Sequence, residues 1–113
     1  MMRVIFKTHE RQEHSMKQYA VVAYDYTDDE ALDRRLANRD AHLAGVRALA
    51  SQGKFLSGGA ILNDDGKMIG SNTHFRFSDR QDLDAWLETE PYMTGRVWER
   101  VDIREVKLFD PDA

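Results

Sequence analysis

Tyr19-Ala20-Val21-Val22-Ala23-Tyr24-Asp25-Tyr26-Thr27-Asp28-Asp29-Glu30 is the stretch on which the reading of the whole chain turns. Its first half is a compact run of aromatic and β-branched residues with alanine between them, and its length suits a central strand rather than a helix. The run stops at Asp25. Thr27-Asp28-Asp29-Glu30 then has the S/T-x-x-E spacing in which a hydroxyl and a carboxylate satisfy the free N–H groups at the start of a helix. Downstream, Leu32, Leu36, Leu43, Val46, Leu49 and Ala50 recur at helical spacing, and Gly53 stands where a left-handed cap belongs. One long amphipathic helix is therefore expected over about 28 to 52.

Working outward, Phe55 to Leu62 reads as a second strand with the glycine pair Gly58-Gly59 inside it, and Asn63-Asp64-Asp65-Gly66 has the composition of a hairpin turn. The partner strand is expected from about Lys67 to Phe77. Ser78 with Gln81 repeats the capping-box spacing, and Leu83, Trp86 and Leu87 mark the apolar face of a shorter helix that Pro91 prevents from continuing. A last strand is expected from Val97 to Phe109, with Val101 and Ile103 on one face. The order β-α-β-β-α-β is the ferredoxin-like arrangement of an α+β protein, an antiparallel four-stranded sheet with its helices on one face. The other face then needs a cover, and a second copy of the chain would supply it, so a homodimer or a higher assembly of dimers is expected.

Size and charge narrow the function classes. A chain of 113 residues with 42% apolar content builds one core. Residues 1–15 are expected to be an extension, with a short apolar patch at Val4, Ile5 and Phe6 but no secretory leader, and residues 16–110 the domain. The net charge of −4, spread in both signs, gives no electrostatic reason to bind nucleic acid, and no run is long enough for a membrane helix. Cysteine is absent, which excludes disulfides, thiolate metal sites and a cysteine nucleophile, and fits a reducing cytoplasm. The histidines lack the close spacing of a metal motif, His9 and His14 lie in the extension, and the phosphate-binding and serine-nucleophile glycine motifs are missing. No metal and no cofactor are expected.

A few residues break the pattern. Arg39 falls near the middle of the arc drawn by Leu32, Leu36, Leu43, Val46 and Ala50, which aims a charge inward, and His42 lies at the border of the same arc. A buried guanidinium needs a carboxylate or an anionic ligand, so Arg39 reads either as a structural ion pair with Asp25 or Glu90 or as a ligand contact. His42 reads either as a half-buried histidine bonded to a carbonyl or as a functional group. Glu90-Pro91-Tyr92 puts a carboxylate on a stiff corner where it is either solvated or able to orient an imidazole. Gly58-Gly59 signals a bulge or the approach of a ligand, and Asp25 a turn or a pocket acid. His74, alternating with Phe75 on a strand, reads as a surface or interface residue.

Taken in order, Tyr19 to Asp25, Arg39-Asp40-Ala41-His42-Leu43, Gly53-Lys54-Phe55-Leu56-Ser57-Gly58-Gly59 and Glu90-Pro91-Tyr92 resemble successive motifs of the YCII-related (YciI-like) family over nearly all of residues 16 to 108. The resemblance implies a ferredoxin-like fold, a dimeric α+β barrel and a site in which a histidine pairs with an aspartate. Carried over, the histidine is His42, the upstream arginine Arg39, the strand-end acid Asp25 and the late D-P-[YF] motif Glu90-Pro91-Tyr92. Two positions depart: Glu90 stands where aspartate is common, and Arg96 where glycine is common, with Gly95 one place earlier. A few relatives resemble enzymes of aromatic-ring catabolism that remove chloride by acid-base chemistry.

Residues and resemblance together lead to two expectations of different class. The first is a cofactor-independent enzyme that moves protons on a small organic molecule in an elimination or isomerisation, with His42 and Glu90 catalytic and Asp25, Arg39, Gly59 and Tyr92 around the ligand. The second is a dimeric module that binds a small molecule in the same cleft without turning it over.

Overall fold

The computed structural model describes residues 16–113; the extension expected at 1–15, with its two histidines, lies outside the described residues. Seven elements follow one another: β1 (Lys17–Asp25), α1 (Ala31–Ser51), β2 (Phe55–Leu62), β3 (Met68–Phe77), α2 (Arg80–Thr89), α3 (Pro91–Thr94) and β4 (Trp98–Val106). The strands form one sheet in the order β2-β3-β1-β4, every neighbouring pair antiparallel. This is the ferredoxin-like α+β fold.

The strand pattern carries the core. Tyr19, Val21, Ala23 and Asp25 alternate inward along β1, and opposite them on β3 stand Phe75, Thr73 and Ser71 in register. Leu83 and Leu87 of α2 close over the aromatic end, where Phe75 and Trp86 lie 4.8 Å apart between ring centroids. Each such fully buried side chain contributes about 1.5–3 kcal/mol. At the other end of the same face the residues are small and hydroxylated, Ser71 and Thr73, and a cleft opens there under α1.

Three local expectations change. The capping box at Thr27–Glu30 does not form: the Glu30 N–H that Thr27 would receive goes to Asp28 Oδ2 at 3.3 Å, and α1 starts at Ala31 with Glu30 as its cap and no side-chain cap bond, while the Asp28 carboxylate also takes two N–H bonds from Arg34, both 2.8 Å. At α2 the cap is Asp79 rather than Ser78, accepting from the Asp82 N–H at 3.0 Å. The last strand is shorter than expected, ending at Val106. The hairpin at Asn63–Gly66 forms as read: the Asn63 side chain accepts from the N–H groups of Asp65 and Lys67, and Gly66 takes φ 78°, where a Cβ would be strained.

The larger correction concerns the face of α1. Its buried residues are Ala31, Arg35, His42 and Leu49, whereas Leu36 is 52% exposed and Ala50 is exposed. The inward guanidinium is Arg35, not Arg39. The apolar arc is displaced because the buried stripe lines a polar cleft, so the residues that face inward are not the most hydrophobic ones. No helix among the described residues is long and apolar enough to cross a membrane.

Candidate active site

The Glu90-Pro91-Tyr92 corner is built by backbone rules. Proline disfavours the helical region for the residue before it, and Glu90 accordingly takes φ −70° and ψ 127°, ending α2. Pro91 occupies the first position of α3, where its missing N–H costs nothing. The Glu90 side chain turns back to accept the Tyr92 N–H through Oε2, so the carboxylate caps α3. Its other oxygen, Oε1, bonds His42 Nδ1. Both oxygens are committed and the residue is 1% exposed, which fixes the position of the carboxylate. Glutamate reaches both partners from a cap position that shorter side chains usually hold.

Tyr92 stacks on the imidazole, ring centroids 3.9 Å apart and planes 11° from parallel, and Trp98 meets the same ring edge-on at 6.0 Å. The imidazole is thus clamped by a carboxylate and two aromatic rings. A neutral ring donating Nδ1–H to Glu90 carries its lone pair on Nε2. Nε2 has no hydrogen-bond partner among the described residues, and His42 is one of the residues that line the cleft.

That cleft encloses about 270 Å³ between α1 and the sheet, with Arg35, Arg39, His42, Ser71, Thr73 and Tyr92 as its polar lining. Leu43, Val46, Phe55 and Met68 supply apolar wall. An apolar cavity of roughly 150 Å³ holds one benzene ring, so the volume suits a single substituted ring. Larger hollows of about 720 Å³ and 470 Å³ lie by Lys17, Arg76 and Lys107 and by Tyr26, Asp28 and Lys67, but neither contains an oriented acid-base pair. Volume alone does not mark the chemistry.

The charged residues divide into wall and support. Asp25 lies away from the cleft; both its oxygens are held by Arg35 Nη1 at 2.8 and 3.0 Å, and burial pushes its pKa up while Arg35 pulls it down. Arg35 Nη2 bonds the Gly70 carbonyl and Ser71 Oγ, both at 2.9 Å, and the guanidinium lies 4.7 Å from the Tyr92 ring centre. Arg39 is exposed and stands at the rim of the cleft. Burial raises the pKa of Tyr92 above the ordinary phenol value against the pull of Arg35 and Arg39, so its hydroxyl remains a donor through the neutral range.

The glycine pair divides as well. At Gly58, φ 156°, a Cβ would lie 2.8 Å from the Asn72 carbonyl and the Thr73 Cα, so the close approach is that of β3. Both glycines line the cleft, and Gly59 has nothing within 4 Å of where its Cβ would be. Gly95 admits the Asn38 side chain, which a Cβ would meet at 2.5 Å, and so lets the end of α3 approach α1. His74 sits on the other face of the sheet, its Nδ1 3.0 Å from Ser57 Oγ.

The sequence brings His42, Glu90 and Tyr92 into view, and the structure joins them; it replaces Arg39 by Arg35 as the buried cation and adds Ser71 and Trp98. A signal for Arg35 was present. From His42 it is seven residues back, about 20° off in azimuth on an ideal helix, whereas Arg39 at three residues is about 60° off.

Comparison with known proteins agrees with this construction. The sequence model of the YCII-related domain matches residues 17–107. Protein YciI of Escherichia coli O6:H1 and that of Shigella flexneri are each 32% identical to this chain over 95 residues, covering 79% of it and 95% of their own length. Among solved structures, the 5-chloro-2-hydroxyhydroquinone dehydrochlorinase of Burkholderia phenoliruptrix AC1100, in complex with 2,5-dihydroxybenzoquinone, superposes with a TM-score of 0.69 at 22% identity, over 80% of this chain and 93% of the enzyme. Sequence likeness along most of the chain, joined to this fold, shows that the chain belongs to the YCII-related family.

Proposed function

We propose that the chain is a cofactor-independent enzyme that transfers protons on a small, oxygen-bearing ring compound, in an elimination or isomerisation. One observation carries the reading: His42 has one ring nitrogen fixed by the buried Glu90 and the other uncommitted in a ring-sized cleft. That is the minimum apparatus for general acid-base chemistry near neutral pH. His42 takes or gives the proton, Glu90 sets its tautomer, and Tyr92 forms a wall with a hydroxyl donor. Arg39 at the rim attracts an anion, Gly59 leaves room on β2, and Asp25 acts at one remove by holding Arg35. The dehydrochlorinase of like fold supports the substrate class.

The test is a pair of measurements on the parent and His42→Ala. Chloride release from 5-chloro-2-hydroxyhydroquinone by the parent, lost in the variant, together with binding of 2,5-dihydroxybenzoquinone that moves the resonances of cleft residues, is the expected result. Binding without turnover of this or related chlorinated and keto-enol compounds shifts the reading to a module that only holds its ligand. The one-methylene extension at Glu90 is the observation favouring that second reading, since it moves the carboxylate relative to a shorter aspartate.

The open face of the sheet carries Ala20 and Val22, half-buried, beside His74 and Arg76. We assign it to contact with a second copy in a cytoplasmic homodimer, which sedimentation at micromolar concentration tests; a monomer there removes the barrel.

A further inference from the structure

The two hydroxyls that β3 turns toward the helices are used differently. Thr73 Oγ1 donates to the Val21 carbonyl at 2.8 Å. Ser71 Oγ instead accepts, from Arg35 Nη2 at 2.9 Å and from Trp98 Nε1 at 3.2 Å. A serine oxygen has two lone pairs and one proton, while a guanidinium and an indole can only donate. With both lone pairs taken, the Ser71 proton is the one part of the group left to use. No acceptor among the described residues receives it, and Ser71 is 3% exposed on the wall of the cleft.

A second donor is stranded beside it. Arg35 Nε is wholly buried with no partner, the one such side-chain nitrogen or oxygen among the described residues, on a residue that also lines the cleft. Natural proteins rarely leave such groups unpaired, because each costs about 1–3 kcal/mol. Arg35 Nε is closed to a ligand as well as to acceptors, so the Ser71 proton, on a residue that lines the cleft, is the donor a ligand can meet.

We propose that Ser71 is the specificity-determining donor of an oxyanion subsite, its hydroxyl bonding a negatively charged oxygen borne by the ring that His42 faces. The inference rests on the reading of this cleft as the ligand site and names which part of a ligand it selects. The order Asp25, Arg35, Ser71 gives the subsite its strength: Arg35 donates into Ser71 Oγ and polarises its O–H, and a bond from a polarised hydroxyl to an oxyanion in a dry site is short and charge-assisted. Ser71 thereby presents the positive charge of Arg35 to the ligand without exposing the guanidinium. A ring with an ether or a bare carbon at that position leaves the Ser71 proton unpaired and is disfavoured.

The test compares two probes with the same nitrophenyl ring, 4-nitrophenolate at mildly alkaline pH and 4-nitroanisole, whose oxygen is uncharged and one methyl larger, so that the change in preference between parent and variant is what is read. The parent is expected to prefer the phenolate. Ser71→Ala weakens phenolate binding roughly tenfold and leaves the anisole within about twofold, so that preference falls while general affinity stands. Loss of a cap on Arg35 and Trp98 that merely loosened the cleft would weaken both probes together, and that result overturns the subsite. So does a parent without preference, or one that binds neither probe at millimolar concentration. Ser71→Gly, which also lacks the hydroxyl and leaves room for a water to accept from Arg35 and Trp98, is expected to lose the preference likewise and serves if the alanine variant does not fold. Phenolate binding that falls in His42→Ala but holds in Ser71→Ala rejects the subsite and keeps the cleft; binding indifferent to both rejects the two readings together.

Discussion

Arg34 and Arg35 are adjacent on α1, and each holds an aspartate from the segment before the helix. Arg34 meets Asp28 with a fork, Nη1 and Nη2 each 2.8 Å from one oxygen, and the side chains are 27% and 45% exposed. Arg35 meets Asp25 with Nη1 alone, at 2.8 and 3.0 Å, and the side chains are 3% and 4% exposed. The outer pair lowers the pKa of its carboxyl to about 2, chiefly through the hydrogen bonds from Arg34. The inner pair cannot: burial pushes Asp25 upward by more than Arg35 recovers. One chemistry gives two outcomes because water screens and solvates the first and is missing from the second. The inner arginine also keeps Nη2 free for Gly70 and Ser71, which is how it comes to belong to the cleft.

The widest separation between the pairs comes from removing one partner. Arg35→Met leaves a buried, unpaired carboxylate and is expected to cost about 3–5 kcal/mol in urea unfolding, read as a lower midpoint at constant slope. The loss should shrink as pH falls. A carboxyl whose folded-state pKa is raised holds its proton more tightly folded than unfolded, so its contribution to stability is full below the ordinary value of 3.8 and is lost as pH rises through the folded pKa. Without Arg35 that folded pKa rises further, and below it the neutral acid is cheaper to bury. A loss below about 1 kcal/mol at pH 7 would mean that Asp25 stays hydrated, contrary to its place in the core.

His42 and Glu90 form a third pair, buried like the inner one but with a partner that is able to be neutral. Glu90→Gln tests what the carboxylate does. The amide retains an oxygen to accept the Tyr92 N–H and offers its NH₂ to His42 Nδ1, which then accepts, so the ring proton moves to Nε2. Stability is expected to change by only about 1 kcal/mol. Any turnover that uses Nε2 as a base should fall by about 100-fold or more, since the lone pair no longer faces the cleft. Nitrogen chemical shifts of the His42 ring report the tautomer directly; an unchanged tautomer would show that something other than Glu90 sets it.

How much of this was legible follows the same division between dry and wet. Strand β1 and the corner at Glu90 were readable because their signals are local: alternation with aromatic and β-branched residues in one, proline chemistry in the other. The inner face of α1 was not, because the apolar-arc rule assumes that buried means apolar, and here Arg35 and His42 occupy the buried stripe. Ser71 was invisible for a related reason. On β3 it looks like any polar residue in an alternating strand, and only the positions of Arg35 and Trp98 reveal that its lone pairs are spent. The capping boxes failed because the carboxylates of Asp28 and Asp79, next to the expected hydroxyls, take backbone N–H groups at the two helix starts, those of Glu30 and Asp82.

Arg96 offers a smaller contrast with Arg34, whose Nε donates to the Arg96 carbonyl at 2.9 Å. It takes φ 58°, the left-handed region that favours glycine. Its guanidinium lies 5.3 Å from the Tyr26 ring centre and that of Arg34 5.5 Å, so the two cations share one ring. Comparing Arg96→Gly with Arg96→Ala cancels the shared ring contact, absent in both. The glycine variant is expected to be the more stable by about 1 kcal/mol, as a Cβ in this region costs about 1–2 kcal/mol and glycine's extra freedom unfolded returns part of it. Equal stability would show that the turn relaxes out of the left-handed region when the arginine is gone.

The finest distinction concerns the outer pair alone. Arg34→Ala removes the two bonds that hold the Asp28 carboxyl near 2, and its pKa should return toward the ordinary 3.8, read from the side-chain carboxyl resonance in an acid titration. A carboxyl lowered in the folded state contributes stability that is present above its unfolded pKa and is lost as pH falls through the folded one, so the window for Asp28 runs from about 4 down to about 2. The parent should lose stability more steeply than the variant across that window, and the two curves should run parallel above it. Added salt should flatten the difference, because both groups stand in water, whereas the Arg35→Met loss should resist salt. If the Asp28 resonance titrates alike in parent and variant, the outer pair is a contact without electrostatic consequence, and the contrast between the adjacent arginines rests on the inner one alone.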